Sequence, residues 1–145
     1  MTAKEYLLQY QRLHEDLRAL QERIAQARTI AEGTTAQLTG MPRGTMTGDK
    51  VGNIGAKLAD MEREEADRRA AILDKQTEIC RMVDQLPDTR YVKLLRLRYI
   101  ELDTGGRLQT WEMVADQMHM EVSWVKGGLH SQALDAINKV LKSTI

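Results

Sequence analysis

The first thirty residues set apolar side chains at Tyr6, Tyr10, Leu13, Leu17, Leu20, Ile24, Ala27 and Ala31, alternating steps of 4 and 3. Lys, Arg, Glu and Gln fill the positions between. This is a heptad seam, the mark of a helix that packs against one or two partner helices. The pattern predicts a helix from about Ala3 to Glu32, started by Thr2 with Glu5 three residues on as a capping box, and ended at Gly33. The stretch GTTAQLTGMPRGTMTGDKVG, residues 33–52, holds five glycines and one proline and is expected to be a long connecting loop. A second long helix is expected from about Asp49 to Gln85. Its register is apolar at Val51, Ile54, Leu58 and Met61, charged at Glu65, Arg68 and Lys75 with Ile72 between, and apolar again at Ile79, Met82 or Val83, and Leu86. The charged middle, MEREEADRRAA, reads as a solvated stretch with i,i+4 ion pairs beyond the reach of the first helix, or as a patch for a partner.

Leu86-Pro87-Asp88 breaks the pattern, and Asp88 can cap the next helix, TRYVKLLRLRYIE. That helix offers Tyr91 or Val92, Leu94, Leu95, Leu97 or Arg98, and Tyr99 to a core. After the glycine-containing loop LDTGGRLQ, Thr110 can cap a short helix reading WEMVADQM. Here the spacing changes character. Val114 and Met118 point inward and Ala115 is small enough for another helix to cross it. His119 stands where a tight turn needs an unusual backbone, and Met120 plugs the turn. Val125 anchors a second helix whose apolar side continues through Leu129, Ala133, Ile137 and Val140 or Leu141. That set is the layout of a helix-turn-helix.

Composition narrows the class without naming a function. Leu, Ala, Met, Arg, Glu and Gln dominate, all good helix formers, and there is no Phe. The expected fold is all-α: a helical hairpin over residues 1–86 and a helix-turn-helix bundle over residues 87–145. The formal net charge is zero; residues 88–145 carry 8 Lys/Arg against 7 Asp/Glu, so bulk charge gives no argument for nucleic acid. Cys80 is the single cysteine and reads as a small half-buried hydrophobe. The start, MTAKEYLLQYQRLHEDL, is charged throughout and no long apolar run follows, so a cytoplasmic protein away from membranes is expected. His14, His119 and His130 show no ligand spacing. No Ser/His/Asp set, phosphate loop or buried acidic pair is brought together by periodicity. No catalytic residue, cofactor or metal is expected, and enzyme activity is not.

The stretches RYVKLLRLRYIE and TWEMVADQMHMEVSWVKGGLHSQALDAI resemble region four of bacterial sigma factors. They are more closely similar to the sigma-region-four-like regulators of phages and prophages, the ArpU/RinA kind of late-transcription activator. The likeness spans about residues 45–140, with Asp88, Arg90, Leu95, Arg98-Tyr99, Trp111-Glu112, Ala115, Trp124-Val125, Leu129-His130 and Ala133-Leu134 as landmarks. It implies a DNA-binding regulator of transcription acting with RNA polymerase, with the helix from about Glu121 in the major groove. Glu121, Val122, Ser123, Lys126, Gly127 and His130 would then face DNA. Arg90, Lys93 and Arg96 would support them on phosphates, and Arg98, Arg107, Lys139 and Lys142 add nearby charge.

The chain departs from that pattern at Gly127-Gly128, where a large or basic residue is usual. Two interior glycines cost about 1 kcal/mol each relative to alanine. They either permit close approach to DNA or a partner helix, or relax sequence reading. Trp111 and Trp124 read as packing residues that bracket the turn, with base contact as the competing reading. A heptad seam of this length predicts a homo-oligomer, a dimer first, unless the hairpin closes on itself. The rival functions are a DNA-packaging subunit of the small-terminase kind and a helical interaction protein without DNA binding.

Overall fold

The structure, a computed structural model, describes residues 1–40 and 47–143; of residues 33–40 and 47–52 only the backbone is described. Every regular element among them is helical, as the periodicity requires: α1 (Ala3–Gly40), α2 (Thr47–Val83), α3 (Thr89–Leu95), α4 (Trp111–Met118), α5 (Val122–Trp124) and α6 (His130–Ser143). A π-helical turn, Arg96–Ile100, prolongs α3, and a second, Val125–Leu129, joins α5 to α6 without a break. None of these helices is long and apolar enough to cross a membrane.

The expected loop over residues 33–52 is shorter than its glycines suggested. The helix α1 runs through Gly33 to Gly40, and α2 already begins at Thr47. An isolated glycine lowers helix stability by only about 1 kcal/mol, so Gly33 is a weak stop. Residues 41–46 of that expected loop lie outside the described residues. The start of α1 matches its reading. Thr2 N–H donates to Glu5 Oε2 at 3.0 Å, and Glu5 N–H donates to Thr2 Oγ1 at 3.2 Å, a reciprocal capping box.

The chain forms two compact units, residues 1–15 with 71–145, and residues 16–70, so the division falls inside the two long helices. In the unit of residues 16–70, Leu17, Leu20 and Ile24 of the seam are buried. The charged middle of α2 lies within reach of α1 there. Arg68 donates to the Asp16 carbonyl at 2.9 Å, and Arg28 pairs with Glu62 at 2.8 Å. The expected i,i+4 pairs Glu64–Arg68 and Glu65–Arg69 also form. The stretch is therefore largely exposed and ion-paired, as expected, but it lies within reach of the first helix and not beyond it. The seam meets the chain's own second helix, so it does not by itself call for a second copy.

In the unit of residues 1–15 and 71–145, the beginning of α1 belongs to the same core as the C-terminal helices. Ala3, Tyr6, Leu7 and Tyr10 are buried with Ile79, Val83, Leu94, Leu97, Val114 and Ile137. Ala3 N–H donates to Asn138 Oδ1 at 3.1 Å, and the Tyr6 hydroxyl donates to Glu78 at 2.8 Å. Asp88 caps α3 as expected, accepting from Arg90 N–H at 2.9 Å. Leu7→Ala should therefore cost about 2–5 kcal/mol in denaturant unfolding. Leu73→Ala, at a position 63% exposed, should stay within about 0.5 kcal/mol. Equal effects of the two would contradict this core.

Candidate nucleic-acid interface

Thr110 starts α4: its Oγ1 accepts from Met113 N–H at 3.2 Å. Val114 and Met118, the two positions expected to point inward, are buried, and so is Ala115, the small residue expected at the crossing. The helix stops at His119, which takes a left-handed backbone with φ 57° and ψ 42°. Its N–H and that of Met120 return to the last carbonyls of α4, with Met120 N–H on Ala115 O at 3.1 Å. Histidine thus fills a conformation that glycine ordinarily takes. Met120 is half-buried, so it is a partial plug where a full one was expected. The chain then enters α5, whose approach to α4 is allowed by the small side chain of Ala115.

The second helix carries its apolar residues at Val125, Leu129, Ala133 and Ile137, all 0% exposed. Steps of four would drift around a regular α-helix, about 40° at each step given about 3.6 residues per turn. The π turn corrects the first step. His130 N–H reaches back five residues to Val125 O, and the widened turn sets Val125 and Leu129 on the same side.

That turn also decides which expected DNA-facing residues reach the surface. Glu121, Ser123, Lys126 and Gly127 are exposed and Val122 is half-buried. His130 is a correction: it is buried, not outward. Counting regular helical steps from Val125 puts it outside, and the extra residue of the π turn rotates it inward. There it shares a hydrogen bond of 2.7 Å with the Tyr99 hydroxyl and meets the Trp111 ring edge-on at 4.6 Å between centroids. Burial, with Lys4 and Arg98 nearby, pushes its pKa down to about 4. Burial pushes Tyr99 up to about 12. At neutral pH this is an uncharged pair closing the core, unsuited to a phosphate.

The supporting cations divide in the same way. Arg90 is tied to Asp88 at 2.9 Å and Arg96 to Asp84 at 2.6 Å, though all four side chains keep solvent access. Arg98 lies inward, its guanidinium 4.4 Å from the Trp111 ring centroid, and donates to the Gln109 carbonyl. Lys93 and Lys126 are exposed with no ion-pair partner among the described residues. Sequence reasoning missed Gln109, a buried side chain that donates to the Glu101 carbonyl and accepts from Gln117 at 2.7 Å. It holds the loop before α4 in place, and nothing in its local spacing announces that role.

The two tryptophans behave differently. Trp111 is a packing residue between Arg98 and His130. Trp124 is 40% exposed, and its indole lies forward along the helix against Gly128. A methyl group built on Gly128 would collide with that ring, whereas one on Gly127 would meet nothing within 4 Å. The adjacent glycines therefore have separate consequences: Gly128 seats an indole, and Gly127 leaves the exposed face bare.

Gly127→Ala should raise stability by about 1 kcal/mol through helix propensity alone. Gly128→Ala should gain less or lose, because the ring must leave its seat. Matching thermal shifts for the two would rule out that seat. Stability should also fall with pH through the histidine window. The imidazole of His130 binds its proton more weakly in the folded chain than at its ordinary 6.5. The unfolded chain therefore takes up the proton first, and stability held above about 6.5 is lost progressively towards about 4. His14, also lowered by burial, acts in the same direction. Urea unfolding between pH 7.5 and pH 5 should show this slope, and His130→Gln should flatten it.

No protein-family model matches the chain, and no curated protein or solved structure matches it either.

Proposed function

We propose that the chain binds double-stranded DNA through the exposed side of the helix that begins at Val122, as a transcription regulator of the phage or prophage kind. The observation that carries this reading is one face of one helix. Glu121, Ser123, Lys126 and Gly127 lie exposed along it, backed by buried Val125 and Leu129 and set off from α4 by the left-handed His119. In a major groove, Lys126 would neutralise a phosphate or reach guanine. Ser123 can bond either kind of base edge, and Glu121 can accept from a cytosine amino group. Lys93 on α3 would add a phosphate contact that positions without reading. Contact with RNA polymerase belongs to the proposal through the resemblance. Sedimentation of the chain alone decides between one copy and two.

A helical interaction protein that does not bind DNA is favoured by one specific observation: Arg90 and Arg96, two of the expected phosphate contacts, already face carboxylates. Fluorescence anisotropy with a labelled random-sequence duplex pool, read across a salt series, separates the readings. The DNA reading expects binding that weakens as salt rises. Lys126→Ala should reduce affinity for all sequences and lower the slope of log K against log salt by about 0.9. Arg96→Ala should change less, because Asp84 competes for that guanidinium. Binding absent at low salt, or unchanged in Lys126→Ala, favours the interaction protein.

A further inference from the structure

We infer that Trp124 is the apolar reading residue of this helix, making contact with the 5-methyl group of a thymine in the major groove. The inference rests on the DNA-binding reading above and deepens it.

Three features meet at this residue. The indole is large and apolar, yet it keeps 40% of its surface exposed while its neighbour Val125 is fully buried. It stays on the surface because Gly128 provides a surface without a side chain for it to lie on. A glycine there weakens the helix by about 1 kcal/mol relative to alanine, so the indole's seat is kept at a cost in helix stability. Third, residues advance about 100° around a helix axis, so Gly127 projects between Trp124 and Lys126. With nothing within 4 Å of a Cβ there, position 127 adds no side chain beside the ring on the exposed face. The ring therefore flanks the bare Gly127 on one side, as Lys126 does on the other, with part of the indole open to solvent.

What duplex DNA offers such a group is limited. Polar donors and acceptors line the major groove, and the thymine methyl is the apolar feature within it. A ring seated beforehand loses little conformational freedom on contact, which favours affinity. Stacking on an unpaired base is the other use of an exposed indole, and it belongs to single strands.

The test uses the full chain and a fluorescein-labelled duplex that the wild-type chain selects from a random pool, with the unselected pool as control. Trp124→Ala should weaken binding to the selected duplex about tenfold, the size of one lost base-pair preference, and binding to the pool no more than about twofold. Gly128→Ala, which keeps the indole but removes its seat, should move in the same direction. Replacing the contacted thymine by uracil should weaken the wild type about fourfold, as one buried methyl group does, and leave Trp124→Ala unchanged. Circular dichroism confirms that each variant folds.

Selected-duplex affinity within twofold in Trp124→Ala overturns the inference and leaves the DNA reading standing. So does equal loss on both probes, or indifference of the wild type to uracil. A wild-type chain that binds no duplex overturns both.

Discussion

The C-terminal part of this chain depends on one crossing. Val125 and Leu129 pack at full burial on the helix Trp111–Met118, and Ala115 is small enough to let the second helix come close. Two backbone features make that crossing reachable. The left-handed residue His119 ends the helix Trp111–Met118 within one position, and the π turn Val125–Leu129 holds residues four apart on one side. A larger side chain at position 115 or a regular helix through Val125 would move the outward face as a unit. The exposure of Lys126 and Gly127 is thus a consequence of what is buried beneath them.

The same core extends beyond the helix-turn-helix. Leu7 and Tyr10, from the opening of the chain, are buried with residues of the C-terminal half, and Ala3 bonds to Asn138. The candidate DNA-facing surface is therefore supported by chain from both ends of the sequence. Among its neighbours, Arg98, Trp111, Tyr99 and His130 form an inner layer in which a cation lies over an indole and a neutral imidazole bonds a tyrosine hydroxyl. The layer holds polar chemistry that looks functional in a sequence and is structural in the fold.

Much of this was legible from spacing. The alternating steps of four and three from Tyr6 to Ala31 read directly as a seam, because a helix repeats its face at that interval. Thr2, Asp88 and Thr110 read as caps because their side-chain oxygens suit the first unpaired N–H groups. The inward positions Val114, Ala115, Met118, Val125 and Leu129 followed from the same logic. What failed was arithmetic that assumed a regular helix. Counting α-helical steps places His130 outward, because the count crosses a turn that contains one residue more. Gly33 reads as a stop because glycine is a weak helix former, although a long helix tolerates one. The roles of Gln109 and of Gly128 lay in tertiary contacts, a loop clasp and an indole seat, which no periodicity encodes. The Gly127-Gly128 pair was visible as an anomaly, and only the position of the Trp124 ring separates its two members.

The central claim is that one particular side of the second helix is available to DNA. Backbone amide mapping by NMR, with unlabelled duplex titrated into the isotopically labelled chain, tests it most directly. The account predicts that the signals of Glu121, Ser123, Trp124, Lys126 and Gly127 shift together while those of Ala133 and Ile137 stay still. Shifts gathered on another helix with the 121–127 signals unmoved would contradict it.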